Sequence, residues 1–189
     1  MKTKRLPATL LCLCMAAMLL PAAALAAPGA RGQLTVNGVP LVSGGQATNS
    51  GTPGASYDYA SNTLTLSSYD GGQIWAMDMG DDFTIYLAQG SVNKAAASGA
   101  GSDEDSAIWM ENGSLAISGS GSLTAETQGT GGSGVAVRGG DLTISGSATV
   151  SAAGPWSGIY SGGSITISGS ATVSAAVSAA GSQGNIISD

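Results

Sequence analysis

The chain contains no histidine, and it is poor in charged and aromatic residues. Of its 189 residues, 10% are charged and 5% are aromatic, and 6 Lys and Arg stand against 12 Asp and Glu, a formal net charge of −6. The absence of histidine excludes Ser-His-Asp and Cys-His catalysis and histidine-ligated zinc. A negative chain with so little lysine and arginine also lacks the phosphate-neutralising charge that nucleic-acid binding requires.

Residues 1–26 have the features of a secretory signal peptide. Lys2, Lys4 and Arg5 precede an apolar run from Leu10 to Leu20, and residues 24–26 supply small side chains for cleavage. The run is too short to span a bilayer as a helix. Both cysteines, at positions 12 and 14, lie within it, so the mature chain has none for disulfides. We expect a secreted, extracellular protein that does not insert into the membrane after cleavage.

The rest of the chain contains a repeat of short alternating segments. Residues 143–153 and 166–176 share the same letters, TISGSATVSAA, and a looser copy begins at Leu115, where the next copy has Leu142. Apolar side chains alternate with Thr and Ser within each copy, which is typical of a strand with one buried face. A period in the twenties with self-similar strands indicates a β-solenoid.

A third short strand precedes each copy, beginning at Ile108, Val135 and Ile159. Three strands and three corners in about 23–27 residues predict one coil of an all-β, single-stranded, right-handed parallel β-helix. Stacked in register, the copies place three apolar columns in the core: Leu115, Leu142 and Ile165; Ile117, Ile144 and Ile167; Leu123, Val150 and Val173.

The coils are expected over residues 57–176, with different segments at each end. Residues 27–56 are predicted to form an N-terminal hairpin cap, turning at Asn37-Gly38, and a Gly/Ser-rich connection. Such a cap would cover the open first coil, whose unpaired backbone invites aggregation. Residues 177–189 are small and polar, and either fold over the last coil or mark where the natural protein continues.

Two motifs resemble a known group of proteins. The run YDYASNTLTL at residues 57–66 and units such as GDLTISGSATV at residues 140–150 are similar to secreted bacterial parallel β-helix repeat proteins of the carbohydrate-binding domain-containing type. The resemblance covers roughly residues 34–176. It implies a cell-surface or extracellular module that binds polysaccharide and holds calcium in acidic corner loops.

Aromatic residues follow the inward positions of the third strand. If Ile74, Ile108 and Ile159 point inward, their successors Trp75, Trp109 and Tyr160 share one outer face, and Trp156 flanks it. Trp109 and Tyr160 would then lie ~10 Å apart along the axis. Flat amphipathic rings at this spacing suit the stacking of sugar rings. The alternative is that these rings pack on one another or cover a corner loop.

Two groups of acidic residues lie in predicted corners. Asp81 and Asp82 precede one coil, and Asp103, Glu104 and Asp105 precede the next. Carboxylates from adjacent corners supply the oxygen ligands that calcium prefers. The alternative is solvated surface charge that keeps the protein soluble.

The sequence offers little for catalysis. Polysaccharide lyases that share this fold need a base beside calcium-binding acids, and Arg138 is the only basic residue within the regular coils, which begin at Leu115. We therefore expect a non-catalytic module that binds polysaccharide or a cell-surface glycan. The alternative is a structural or adhesin stalk of a bacterial surface protein without glycan binding. The oligomeric state stays open.

Overall fold

A computed structural model of the chain describes residues 31–178 and 184–188, with Ile186 the only side chain described in the second segment. The predicted signal peptide at residues 1–26 and the first residues of the predicted cap lie outside this range. The strands, in chain order, are β1 (Gln33–Val36), β2 (Val39–Ser43), β3 (Gln46–Ala47), β4 (Ala55–Asp58), β5 (Thr63–Leu66), β6 (Asp70–Gly71), β7 (Ile74–Met77), β8 (Phe83–Leu87), β9 (Val92–Gly99), β10 (Ile108–Glu111), β11 (Leu115–Gly119), β12 (Ser122–Gly129), β13 (Ser133–Val137), β14 (Leu142–Ile144), β15 (Thr149–Gly154), β16 (Ser157–Ser161), β17 (Ile165–Ile167), β18 (Thr172–Val177) and β19 (Gly184–Ser188).

The strands form a parallel β-solenoid of about four turns, which confirms the predicted fold. Sheet A has the order β19-β16-β13-β10-β7-β1-β2-β3, sheet B the order β17-β14-β11-β8-β5-β4, and sheet C the order β18-β15-β12-β9-β6. From β5 onward the chain visits B, C and A in turn, and every pairing between successive coils is parallel. No helix in the described segments is long and apolar enough to cross a membrane.

Coil length varies because corner loops differ while the strands stay in register. Equivalent positions in sheet B are occupied by Thr63, Thr84, Ala116, Thr143 and Thr166. The longest coil runs from Thr84 to Ala116 and contains a loop with a 3-10 turn at Asp103–Asp105. The two later coils, which end at Thr143 and Thr166, have the predicted length. The first coil is shorter than predicted and the second is longer.

The core consists of the predicted apolar columns. Leu115 pairs in register with Leu142, Ile117 with Ile144, and Leu123 with Val150, and all six side chains are at most 1% exposed. Their polar neighbours on the same strands face outward, as the alternation requires. The third members of the columns, in β17 and β18, are less buried because no described strand follows them.

The N-terminal end is closed by antiparallel pairings in sheets A and B. β1 and β2 form the predicted hairpin, with Asn37 and Gly38 both at positive φ in the turn, and β1 also pairs antiparallel with β7 of the first coil. Beside it, β4 pairs antiparallel with β5. Residues 55–58 thus belong to the cap, and the coils begin at Thr63 rather than at residue 57.

The C-terminal residues continue the solenoid. β18 extends to Val177, and β19 pairs in parallel with β16, with Ile186 in register with Ile159. Residues 184–188 are therefore a further strand of sheet A, and Val177 ends β18 of sheet C, where the sequence predicts a small polar tail.

Candidate functional site

The outer face of sheet A carries a column of aromatic residues. Trp75 of β7 pairs in register with Trp109 of β10, Trp109 with Ala136 of β13, and Ala136 with Tyr160 of β16. The residues that precede them, Ile74, Ile108, Val135 and Ile159, are at most 1% exposed and belong to the core. The alternation of the strands therefore turns the two tryptophans and the tyrosine toward the outside.

Facing outward does not make Trp109 accessible. Its side chain is 3% exposed, and Ala136 beside it is 2% exposed. The guanidinium carbon of Arg138, which follows β13 on the same face, lies 5.8 Å from the centroid of the Trp109 ring. The same carbon lies 5.6 Å from the centroid of Tyr160. Arg138 is thus placed for cation–π contact with both rings and covers the middle of the column.

Arg138 is held in this position by the long corner loop. Its Nη1 lies 2.6 Å from Oδ2 of Asp103 in the 3-10 turn. This turn is itself fixed, because the Asp105 carboxylate accepts hydrogen bonds from the backbone N–H groups of Ala100 and Ser102. Gln73 donates from its side chain to the carbonyls of Glu104 and Ser106. The loop before β10 therefore positions a carboxylate over the arginine of the next coil.

The Trp109 indole nitrogen is buried and has no hydrogen-bond partner among the described residues. A buried N–H group without an acceptor costs roughly 1–3 kcal/mol, and most such groups in folded proteins are paired. The group lies on the outer face of the sheet, outside the apolar core. An acceptor oxygen could satisfy this group only if the side chains that cover it moved.

The remaining aromatic candidates differ in accessibility and position. Trp75 and Tyr160 are half-buried and lie at the two ends of the column. Trp156 is 36% exposed, but it lies at the corner before β16, where its backbone N–H donates to the Gly132 carbonyl. The structure thus brings together three of the four predicted aromatic residues. It adds Arg138, whose place on this face is indicated by its position two residues after Ala136.

The predicted shared calcium site does not form. Asp81 and Asp82 lie at the corner between sheets A and B, whereas Asp103, Glu104 and Asp105 lie at the corner between sheets C and A. Within residues 31–178 and 184–188, no group of three or more acidic, histidine or cysteine side chains is placed to hold a metal ion.

Asp82 instead joins the cap to the coils. Its two carboxylate oxygens accept hydrogen bonds from Arg31 at 2.7 and 3.1 Å, and Asn62 Nδ2 donates to the first of them at 2.8 Å. The hydrogen bonds from the Arg31 guanidinium hold the pKa of Asp82 below its ordinary value. The Asp82 carboxylate is 63% exposed, but it could bind calcium only by giving up hydrogen bonds to Arg31, which is 7% exposed.

No protein-family model matches the chain, and no curated protein or solved structure is significantly similar to it.

Proposed function

We propose that this protein is a secreted, non-catalytic module that binds extracellular polysaccharide on the outer face of sheet A. The observation that carries the proposal is the column of Trp75, Trp109 and Tyr160, with Arg138 lying over two of the three rings. Aromatic rings and a guanidinium on one face of a sheet combine apolar contact area with hydrogen-bond donors. Sugar rings need both, because they have apolar faces and hydroxyl edges.

The spacing of the half-buried rings suits an elongated ligand. Trp75 and Tyr160 are three strands apart, which corresponds to ~14 Å along the solenoid axis. A chain of sugar rings that runs across β7, β10, β13 and β16 would meet a ring at each end and Arg138 between them. The side chain of Arg138 is 45% exposed, so part of its guanidinium surface faces solvent beside this path.

Trp109 gives the middle of the path a specific polar contact. Its indole N–H lacks an acceptor in the described part of the free protein. If a ligand hydroxyl shifts Arg138 and reaches this group, binding replaces an unsatisfied donor by a hydrogen bond. Arg138 would then pair with ligand oxygens in place of the Trp109 ring face.

The surroundings of Arg138 support a non-catalytic role. A lyase needs a free base poised beside metal-binding acids, as carbanion chemistry requires. Here the guanidinium is paired with Asp103, and the acids of the two corners are separated. Secretion is proposed from residues 1–26, which the sequence alone supports.

A binding experiment with matched variants tests the proposal. The purified protein is incubated with insoluble cellulose, xylan and chitin and with immobilised polygalacturonate, and the retained fraction is measured. We expect retention by at least one of them, and a loss of roughly tenfold in affinity for Trp75→Ala or Tyr160→Ala, as expected when a ring worth about 1.4 kcal/mol is removed. Tyr86→Ala is the control, since Tyr86 is 41% exposed on the outer face of sheet B.

Two outcomes would contradict the proposal. If no polysaccharide retains the protein, the structural or adhesin stalk is the better interpretation. If Tyr86→Ala weakens retention as much as Trp75→Ala, the protein binds glycan elsewhere or nonspecifically, and sheet A is not the site.

A further inference from the structure

The outer face of sheet A carries an acidic side chain that has no partner. Glu111 ends β10, and because Ile108 and Met110 are buried, the alternation of the strand turns Glu111 outward like Trp109. The Glu111 side chain is half-buried and takes part in no ion pair among the described residues. A half-buried carboxylate loses part of its hydration and gains no opposite charge in return. A positive charge brought to this position would therefore be favourable.

A second acidic side chain lies at the other end of the same strand. Glu111 follows Trp109 by two residues, about 7 Å along β10, and is in register with Met77 of β7. Glu104 is exposed and belongs to the 3-10 turn that precedes β10, where its carbonyl accepts a hydrogen bond from Gln73. A polysaccharide chain that crosses β7, β10, β13 and β16 would therefore pass between two carboxylates.

The basic side chains leave no free positive charge for an acidic ligand. The three basic residues in the described part of the chain are all in ion pairs: Arg31 with Asp82, Lys94 with Glu126, and Arg138 with Asp103. The formal net charge of the whole chain is −6. A uronate polymer on sheet A would meet an arginine that Asp103 already neutralises, together with carboxylates of its own sign. The repulsion between like charges disfavours such a ligand.

The rings of this face already hold a cation in the free protein. The guanidinium of Arg138 lies over the rings of Trp109 and Tyr160, and its Nη1 is 2.6 Å from Oδ2 of Asp103. Aromatic faces attract cations, and a carboxylate beside them adds to the attraction. Trp75 and Glu111 lie on neighbouring strands at a diagonal that places their Cα atoms about 8 Å apart. They offer the same two components to a cation that arrives with the ligand.

We propose that the polysaccharide bound on sheet A carries protonated amino groups, as a polymer of glucosamine does, and that Glu111 selects for them. The inference rests on the proposed function, because the sugar rings must lie across Trp75 and Tyr160. Glu111 then accepts a charge-assisted hydrogen bond from an ammonium group. The Trp109 indole N–H, unpartnered and in a side chain that is 3% exposed, is a donor only, so a sugar hydroxyl satisfies it once Arg138 shifts. The negative charge of the protein also speeds the approach of a cationic polymer.

A matched pair of ligands tests the role of the amino groups. Calorimetric titration compares the hexamer of β-1,4-linked glucosamine with its fully N-acetylated form, which has the same sugar rings and lacks the positive charges. At low salt and mildly acidic pH, where carboxylates are ionised, the glucosamine hexamer should bind roughly fivefold more tightly, as one partly exposed ion pair predicts. The preference should shrink in about 1 M salt, which screens such charges. A galacturonate hexamer should bind more weakly than the acetylated hexamer.

Two variants locate the selecting carboxylate. Glu111→Gln should lower the affinity for the glucosamine hexamer to near that for the acetylated hexamer. Glu126→Gln is the matched control, because it makes the same change on sheet C, where the Glu126 side chain is 41% exposed, and it should keep the preference. Trp75→Ala should weaken the binding of both hexamers. Circular dichroism establishes that each variant keeps its β-structure.

Several outcomes would overturn the inference. Equal affinity of the parent chain for the two hexamers, or tighter binding of the galacturonate hexamer, would refute selection for amino groups and leave the proposed function intact if Trp75→Ala weakens binding. A preference that persists in Glu111→Gln would place the selecting carboxylate elsewhere. If hexalysine binds as tightly as the glucosamine hexamer, the face attracts cationic polymers in general and does not select an amino sugar. A protein that binds no hexamer and no polysaccharide would contradict both proposals.

Discussion

The cost of shortening an isoleucine should depend on its place in one column of the core. Ile117, Ile144 and Ile167 occupy equivalent positions in β11, β14 and β17, but the first two are 0% exposed and the third is 46% exposed. Changing a buried isoleucine to alanine removes apolar contacts and leaves a cavity, at a cost of about 2–5 kcal/mol. At Ile167 much of the side chain is already in water, so the expected cost is below about 1.5 kcal/mol.

Thermal unfolding followed by circular dichroism measures these differences in stability. In a protein of this size, 1 kcal/mol corresponds to ~2–4 °C in Tm, so Ile144→Ala should lower Tm by roughly 5–15 °C and Ile167→Ala by a few degrees. All three variants lose the same β-branched side chain from a strand, so differences in strand propensity cancel between them.

A pair of aspartate variants tests which side chains of β14 face the core. Ile144→Asp buries a carboxylate that has no partner, which costs several kcal/mol, whereas Thr143→Asp places the same group on the outer face. Thr143 lies between Ala116 and Thr166 in register, with no acidic residue opposite it. Equal destabilisation by the two aspartates, or equal Tm shifts for all three isoleucine variants, would refute the assignment of inward and outward positions.

Two further predictions concern the cap and a corner. Because the pKa of Asp82 is lowered by its hydrogen bonds with Arg31, its contribution to stability is present above the ordinary carboxyl pKa of 3.8 and is lost as pH falls through the lower folded value. Acid melts of Asp82→Asn should therefore depend less on pH below about 4 than those of the parent, and equal slopes would contradict this. Gly119→Ala should destabilise the protein by several kcal/mol, because φ is +105° and a Cβ would overlap the Leu87 carbonyl. Gly38 has a φ of +76° and open space around it, so Gly38→Ala should cost only about 1 kcal/mol. Similar urea midpoints for the two variants would contradict this difference.

The coils could be predicted from the sequence because the repeat is nearly exact. Identical segments that begin at Thr143 and Thr166 determine how β14 and β17 pair, and the alternation within them determines which side chains face the core. The alternation of apolar and polar residues does not determine whether two strands pair parallel or antiparallel. Residues 57–58 and 63–66 alternate in the same way, yet β4 runs antiparallel to β5, so the coils begin later than the pattern predicts.

The candidate site could be predicted only as a set of positions. The spacing of the third strand identifies the face shared by Trp75, Trp109 and Tyr160, and the structure has them in register. Burial of Trp109 depends on Arg138 of the next coil and on the loop that holds Asp103 against it. Such contacts depend on how coils with loops of unequal length stack on one another, which the repeat pattern does not specify. For the same reason, the sequence does not indicate that the two acidic groups lie at different corners.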